Sequence, residues 1–362
     1  MPMHNGWLPR EGLTADPIGR LFKKTALNPV VTLAALIAAR YTQKGSELSI
    51  LHETAFKRVK YLFYWGLLRT ISGYLDAGAL DNWSKDTYDW KKEIVLVTGG
   101  AGGIGGHVVR LLAEKGIKIV VLDVIPMTFE TSKNVHYYKC DITSPSTITS
   151  VAAEIRKDVG EPTILINNAG VARGKDILGA SEKDVRFTFE VNTLAHYWLA
   201  KEFVLSMVKE NHGMVVTVAS YAAYVTAPNM VDYAASKAAA HAFHEGLACE
   251  LKTRYNAPKV RTVVVNQGYT KTPLFQGYTN DSSFLVPSLE PESVAEAIVK
   301  QVLSGSSGQV IAPGFGAVLS FFRGFPHWLQ NHVRNDNKKL MEKWIGRQVI
   351  DVEKWKTDDE SA

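Results

Sequence analysis

Tyr233 and Lys237 stand four residues apart in Val231–Tyr255, a stretch with helical apolar spacing, so their side chains share one helix face. An ammonium placed there stabilises a phenolate and draws a tyrosine pKa down from about 10. A tyrosine so tuned exchanges a proton with an alcohol or a carbonyl near neutral pH. Ser220 follows the apolar run Val215–Ala219, at the carboxyl end of an expected strand, where its hydroxyl can hydrogen-bond the same substrate oxygen. Ser220 is not set in a nucleophile elbow and has no evident acid and histidine partners, which argues against a hydrolase. The chemistry implied is proton transfer at an oxygen, with hydride exchanged at the adjacent carbon by a nicotinamide.

The run Thr98–Gly105, TGGAGGIG, lies between an apolar run and a helical one and contains Gly99, Gly103, Ile104 and Gly105. Glycines there let the backbone turn sharply and approach a pyrophosphate, which the amides and the positive end of the following helix hold. Asp123 ends the next apolar run, about twenty residues on, where a carboxylate accepts hydrogen bonds from ribose hydroxyls and repels a 2′-phosphate. Neither the loop nor Val124-Ile125-Pro126 supplies a cation for that phosphate. NAD is therefore the preferred cofactor and NADP the alternative.

These residues need a scaffold, and the chain alternates accordingly. Strands are expected at Ile94–Val97, Lys118–Leu122, Val135–Tyr138, Ile164–Asn167, Val215–Ala219, Val260–Val265 and Gln309–Ile311. Helices are expected at Gly103–Lys115, Ser146–Val159, Glu182–Lys209, Val231–Tyr255 and Pro291–Leu303. The pattern predicts an α/β fold, a doubly wound parallel sheet of seven strands with helices on both faces.

Taken together, TGGAGGIG, the NNAG of Asn167–Gly170, Ser220 and the YAASK of Tyr233–Lys237 resemble the motifs of the short-chain dehydrogenase/reductase family, in its order and spacing, over about Glu93–Pro313. The resemblance implies a Rossmann-like domain, a nicotinamide cofactor and a catalytic tetrad of Asn192, Ser220, Tyr233 and Lys237, with Asn192 supporting a proton relay to the lysine. It also implies an adenine contact for Asp141, a cofactor-site wall of Asn168 and Gly170, and ribose contacts for Tyr233 and Lys237. One departure stands out. Where the family has Pro-Gly after the sixth strand, this chain has Gln267-Gly268; Gly268 and Thr272 still match, but the missing proline loosens the loop. Two matching long helices would suit a family-style homo-oligomer.

Apolar segments around the expected centre, Tyr221–Val225 and Phe275, Tyr278, Phe284, Leu285 and Val286, suit a retinoid-like, steroid-like or long-chain alcohol or ketone better than a sugar. The net charge of +5, without long single-sign runs, gives a nucleic-acid partner little support. Cys140 and Cys249 lie far apart without ligand-like spacing, which fits a reducing compartment and no metal site.

Four segments are expected: an N-terminal helical extension over 1–75, a polar linker over 76–92, the catalytic domain over 93–313 and a tail over 314–362. The extension lacks the pattern of a cleavable signal. Its run Val30–Ala39 is too short to span a bilayer, whereas Tyr61–Leu68, flanked by Lys57, Arg58, Lys60 and Arg69, suits a helix at a membrane interface. The same helices packed on the enzyme or on a second subunit are the alternative. The apolar tail either continues the substrate pocket, adds to the membrane-facing patch or covers the sheet. The extension and tail resemble the membrane-associated branch containing retinol and 17β-hydroxysteroid dehydrogenases, which implies an endoplasmic-reticulum or lipid-droplet surface. Two rival readings are a biosynthetic ketoreductase and a non-catalytic dinucleotide-binding scaffold.

Overall fold

The sequence IVLVT at β1 (Ile94–Thr98) is buried at every position, as a strand covered on both faces must be. A computed structural model, which describes residues 3, 4, 6–279 and 282–346, sets it in the interior of a parallel sheet. Its partners are β2 (Lys118–Asp123), β3 (Val135–Lys139), β4 (Ile164–Asn167), β5 (Met214–Val218), β6 (Arg261–Gln267) and β7 (Gly308–Ala312), in the order β3-β2-β1-β4-β5-β6-β7. All six pairings are parallel. The doubly wound sheet expected from the alternation is what the structure shows. The order reverses between β1 and β4, and the crevice at their carboxyl ends is where such sheets take ligands.

The N-terminal extension contributes α1 (Ala15–Lys24), α2 (Pro29–Tyr41), α3 (Gln43–Leu51) and α4 (Glu53–Leu80). In the main domain, α5 (Gly103–Ala113) packs on one face of the sheet with α10 (Pro291–Leu303). The other face carries α6 (Pro145–Asp158), α8 (Ala195–Glu210) and α9 (Val231–Thr253). The single helix expected over Glu182–Lys209 is instead α7 (Glu182–Phe189), a π turn over Glu190–Leu194, and α8. Side-chain periodicity does not register one widened turn, and such turns gather at functional sites. After β7 a 3-10 stretch, Gly314–Gly324, leads to α11 (His327–Asp336).

The segment expected as a linker is docked. Helix α4 runs on to Leu80, and the chain then turns through Asn82 and Trp83, both at positive φ. Arg261, 2% exposed, donates to the carbonyls of Asp81 and Ser84 at 2.8 and 2.7 Å, and Tyr88 donates its hydroxyl to the Gly213 carbonyl at 2.8 Å. His212 Nδ1 meets Asp86 at 2.8 Å. The polar composition that suggests a free tether belongs to groups that bind the foot of the sheet.

Among α1–α4, by contrast, large apolar side chains stay exposed: Tyr61, Tyr64, Trp65 and Leu68 on α4, Val30 and Ile37 on α2. Among the described residues no single helix is long and apolar enough to cross a membrane; α1 and α2, bent by 47°, meet that length and composition only as a pair.

Candidate active site

The strand ends, the glycine turn and the start of α9 enclose a cavity of about 720 Å³. Lining it are Gly99, Gly103, Ile104, Asp123, Asp141, Asn168, Gly170, Ser220, Tyr233, Lys237, Gly268 and Thr272. Two expected site residues stand behind that wall: Gly105 and Asn192, the latter with no exposed surface.

The glycine turn is wound against β4. Asn168 Nδ2 donates to the carbonyls of Thr98 and Gly99 at 2.9 and 3.1 Å, while Thr98 Oγ1 accepts from the amides of Asn168 and Ala169. Gly99 and Gly103 have φ of +65° and +55°, which side chains rarely adopt. A Cβ at Gly105 would stand 2.2 Å from the Gly99 carbonyl oxygen and 2.4 Å from Asn168 Nδ2. The loop thus leaves the amino end of α5 bare toward the cavity, a cradle that fits a pyrophosphate. Asp123 braces it: Oδ2 accepts from Ala101 N at 3.0 Å and Oδ1 from Val124 N at 2.8 Å. Asp141 is likewise engaged, accepting from the amide and hydroxyl of Thr143 at 3.0 and 2.7 Å.

Ser220, in extended backbone, donates to the Gln267 carbonyl at 3.3 Å and accepts from Ala222 N at 3.2 Å. Gln267, where the family has proline, therefore holds the serine through its backbone, and its side-chain Oε1 is buried with no partner among the described residues. Tyr233 and Lys237 are each 3% exposed, and Lys237 donates Nζ to the Val218 carbonyl at 2.8 Å. Burial pushes the Tyr233 phenol up to about 12 against the pull of Ser220, and pushes the Lys237 ammonium down to about 8. The expected depression of the tyrosine by its lysine is corrected here: desolvation dominates both groups.

Asn192 comes from the π turn. Its Oδ1 accepts from Val171 N at 2.8 Å, and its Nδ2 donates to Val171 O at 2.9 Å and Ser236 Oγ at 3.0 Å. A Cβ built on Gly170 would lie 3.4 Å from both Asn192 Oδ1 and Lys237 Nζ, so the two converge on Gly170.

The sequence pattern of the short chain dehydrogenase family matches residues 93–283. The chain belongs to the short-chain dehydrogenase family. It is 47% identical over 201 residues to dehydrogenase RED2 of Cochliobolus heterostrophus, covering 55% of this chain and 76% of that one. To short-chain dehydrogenase/reductase family 16C member 6 of Bos taurus it is 32% identical, over 76% and 87% of the two chains. Estradiol 17-beta-dehydrogenase 11 of Rattus norvegicus is 35% identical, over 65% and 80%. In fold the chain is similar to 4-hydroxyisoleucine dehydrogenase complexed with NADH, with a TM-score of 0.55 and 19% identity over 61% and 96% of the chains. This short-chain dehydrogenase is an oxidoreductase of alcohols and carbonyls that uses a nicotinamide cofactor.

The dehydrogenase's cavity extends past Tyr233 into an apolar end. Of the apolar residues expected there, Tyr221, Ala222, Val225, Phe275, Tyr278 and Val286 line it. Phe275 stands edge-on to Tyr233 at 5.3 Å, and Tyr269 stacks on Tyr278 at 4.0 Å. Phe284 and Leu285 are exposed, and Tyr224 turns away to Asn266 and Gln309. The sequence reading missed Phe187, Val191 and Met230; from the tail, for which a continuation of the pocket was one expectation, Leu319, Val333 and Leu340 complete the wall. Val318, Phe321 and Trp328 of the same tail are exposed. The tail thus forms the pocket wall on one side and an apolar surface on the other.

Proposed function

We propose that this enzyme interconverts a hydrophobic alcohol, steroid-, retinoid- or long-chain-like, with its carbonyl, using NAD in preference to NADP. The observation that carries the proposal is one cavity that joins the glycine cradle and Asp123 to Ser220, Tyr233 and Lys237 and then continues into an apolar end. The names of relatives, estradiol 17-beta-dehydrogenase among them, point the same way.

In this reading Gly99, Gly103, Ile104 and Gly105 shape the pyrophosphate site, Asp123 and Asp141 hold the adenosine end, and Asn168, Gly170, Gly268 and Thr272 wall the rest. The nicotinamide, when bound, supplies or accepts the hydride. Ser220 holds the substrate oxygen, Tyr233 gives or takes its proton, and Lys237 bonds the nicotinamide ribose. Asn192 keeps the Val171 turn and the neighbourhood of Lys237 in place. The test is nicotinamide absorbance with NAD or NADP against steroid, retinoid and long-chain alcohols, with Tyr233→Phe as control. Turnover that survives in Tyr233→Phe sinks the mechanism.

We further propose that the enzyme works as a homo-oligomer on a lipid surface, of the endoplasmic reticulum or a lipid droplet. Tyr61, Tyr64, Trp65 and Leu68 beside Arg58 support an interfacial helix. Flotation with anionic vesicles tests it: replacing Tyr64 and Trp65 by serine should leave the enzyme in the unbound fraction. Exposed Tyr197 and Leu205 on α8 support pairing, which sedimentation measures directly.

A further inference from the structure

Residues 3–16, with residue 5 outside the described set, run across the domain ahead of and into α1. His4 N and Arg10 Nη2 both donate to Glu296 Oε1 on α10, at 2.8 and 2.6 Å. Glu11 Oε1 accepts from Glu290 N at 2.9 Å. The strap ends at Thr14, 2% exposed, and passes into the first turn of α1. That turn makes two bonds to distant chain. Ala15 N donates to the Phe284 carbonyl at 3.0 Å, and Asp16 Oδ2 accepts from Gly314 N at 2.9 Å.

Both partners border the apolar end of the cavity. Phe284 lies between Ser282 and Val286, which line it, and Gly314 opens the 3-10 stretch that brings in Leu319. The fit at Gly314 is close, since a Cβ there would lie 3.1 Å from Asp16 Oδ1. An aspartate in the first turn of a helix also suits the helix dipole. One helical turn therefore ties together two rims that β7 and α10 separate in sequence.

We infer that Asp16 is a specificity-determining residue: by holding the 314–324 rim to the helical turn whose Ala15 amide holds the 282–286 rim, it sets the width of the substrate mouth. The inference rests on the apolar end being the substrate site. Loss of the carboxylate frees the 314–324 rim from α1, and the mouth then admits bulkier alcohols.

Hydrogen exchange on the full-length chain tests the tie without any substrate. In Asp16→Ala, amides of 314–324 and 282–289 should exchange roughly five- to tenfold faster, as expected for one lost hydrogen bond at the surface. Exchange in 94–123 and the affinity for NAD should stay at parent levels, showing an intact domain. Asp16→Asn, which keeps an acceptor oxygen, should restore slow exchange. In parallel, the ratio of kcat/KM for a bulky over a linear secondary alcohol should rise in Asp16→Ala and return in Asp16→Asn. Unchanged exchange at both rims overturns the tie, and faster exchange with an unchanged ratio overturns its role in specificity. A parent enzyme that turns over no hydrophobic alcohol would instead count against the substrate reading, with exchange still deciding the tie.

Discussion

Lys237 gives its ammonium to the Val218 carbonyl at 2.8 Å while standing 5.9 Å from the centre of the Tyr233 ring. Lysine and tyrosine thus share a helix face without sharing a proton. The resting site holds the phenol neutral, the form that donates to a carbonyl, and oxidation of an alcohol needs the phenolate. Since burial pushes the phenol up to about 12, alcohol oxidation should rise steadily as pH is raised above neutral, and carbonyl reduction should not. Tyr233→Phe should lower kcat by about a thousandfold in either direction, the usual reach of general acid–base catalysis, with NAD still quenching tryptophan fluorescence. A pH-independent oxidation rate, with chemistry rate-limiting, would argue that another group takes the proton.

The same lysine should be costly to the fold. The unfolded chain keeps its proton to about 10.5 and the native chain releases it near 8, so the unfolded state binds more protons between those values. Raising pH through that window therefore favours the native state through this group, by on the order of 3 kcal/mol once past the upper value. Below the window the full cost of burying the ammonium remains. Lys237→Met should melt at or above the parent temperature at pH 7 while losing activity, and should lack the parent's relative gain at alkaline pH. A variant that melts well below the parent at pH 7 would show that the Val218 bond outweighs desolvation.

Two glycines of the cradle should respond differently to alanine. At Gly105 the new methyl meets the Gly99 carbonyl, which is backbone, and the Asn168 amide, which two hydrogen bonds hold, within 2.4 Å. Gly105→Ala should cost about 1–3 kcal/mol of stability, as overpacking does, and abolish NAD binding. Gly102 has extended backbone, at φ −166°, and its nearest neighbour would be Thr128 Oγ1 at 3.5 Å. Gly102→Ala should melt with the parent. Thermal denaturation with and without NAD separates the two.

What was legible in the sequence was what is local. Tyr233 and Lys237 share a helix turn, and TGGAGGIG sits between its own strand and helix, so spacing alone places them. The apolar runs of β1, β2 and β4 are short enough and buried enough to be read directly. Less legible was anything delivered by tertiary approach. Leu319, Val333 and Leu340 reach the cavity from beyond β7, and no pattern within 314–340 says which face turns inward. Tyr221 read as pocket because it follows Ser220, and it does line the cavity; that its hydroxyl also bonds the Pro313 carbonyl, against a glycine, Gly316, that leaves it room, was not legible. The polar run 76–92 read as a tether because composition does not distinguish groups facing water from groups facing Arg261 and His212.

Asp123 carries two duties that one substitution can separate. Its carboxylate braces the glycine turn through Ala101 N and Val124 N, and it lines the cavity where the adenosine ribose would lie. Losing the brace should weaken both cofactors alike, because both use the same cradle. Losing the charge should act on the difference, since a carboxylate accepts from the ribose hydroxyls of NAD and repels the 2′-phosphate of NADP. In Asp123→Ala, NAD affinity should therefore fall more than NADP affinity, moving the ratio of the two Kd values by at least about tenfold, or 1.4 kcal/mol, toward NADP. Titration of tryptophan fluorescence with each cofactor gives the ratio directly. Equal weakening of both would assign Asp123 to the turn alone and leave cofactor choice to residues beyond it.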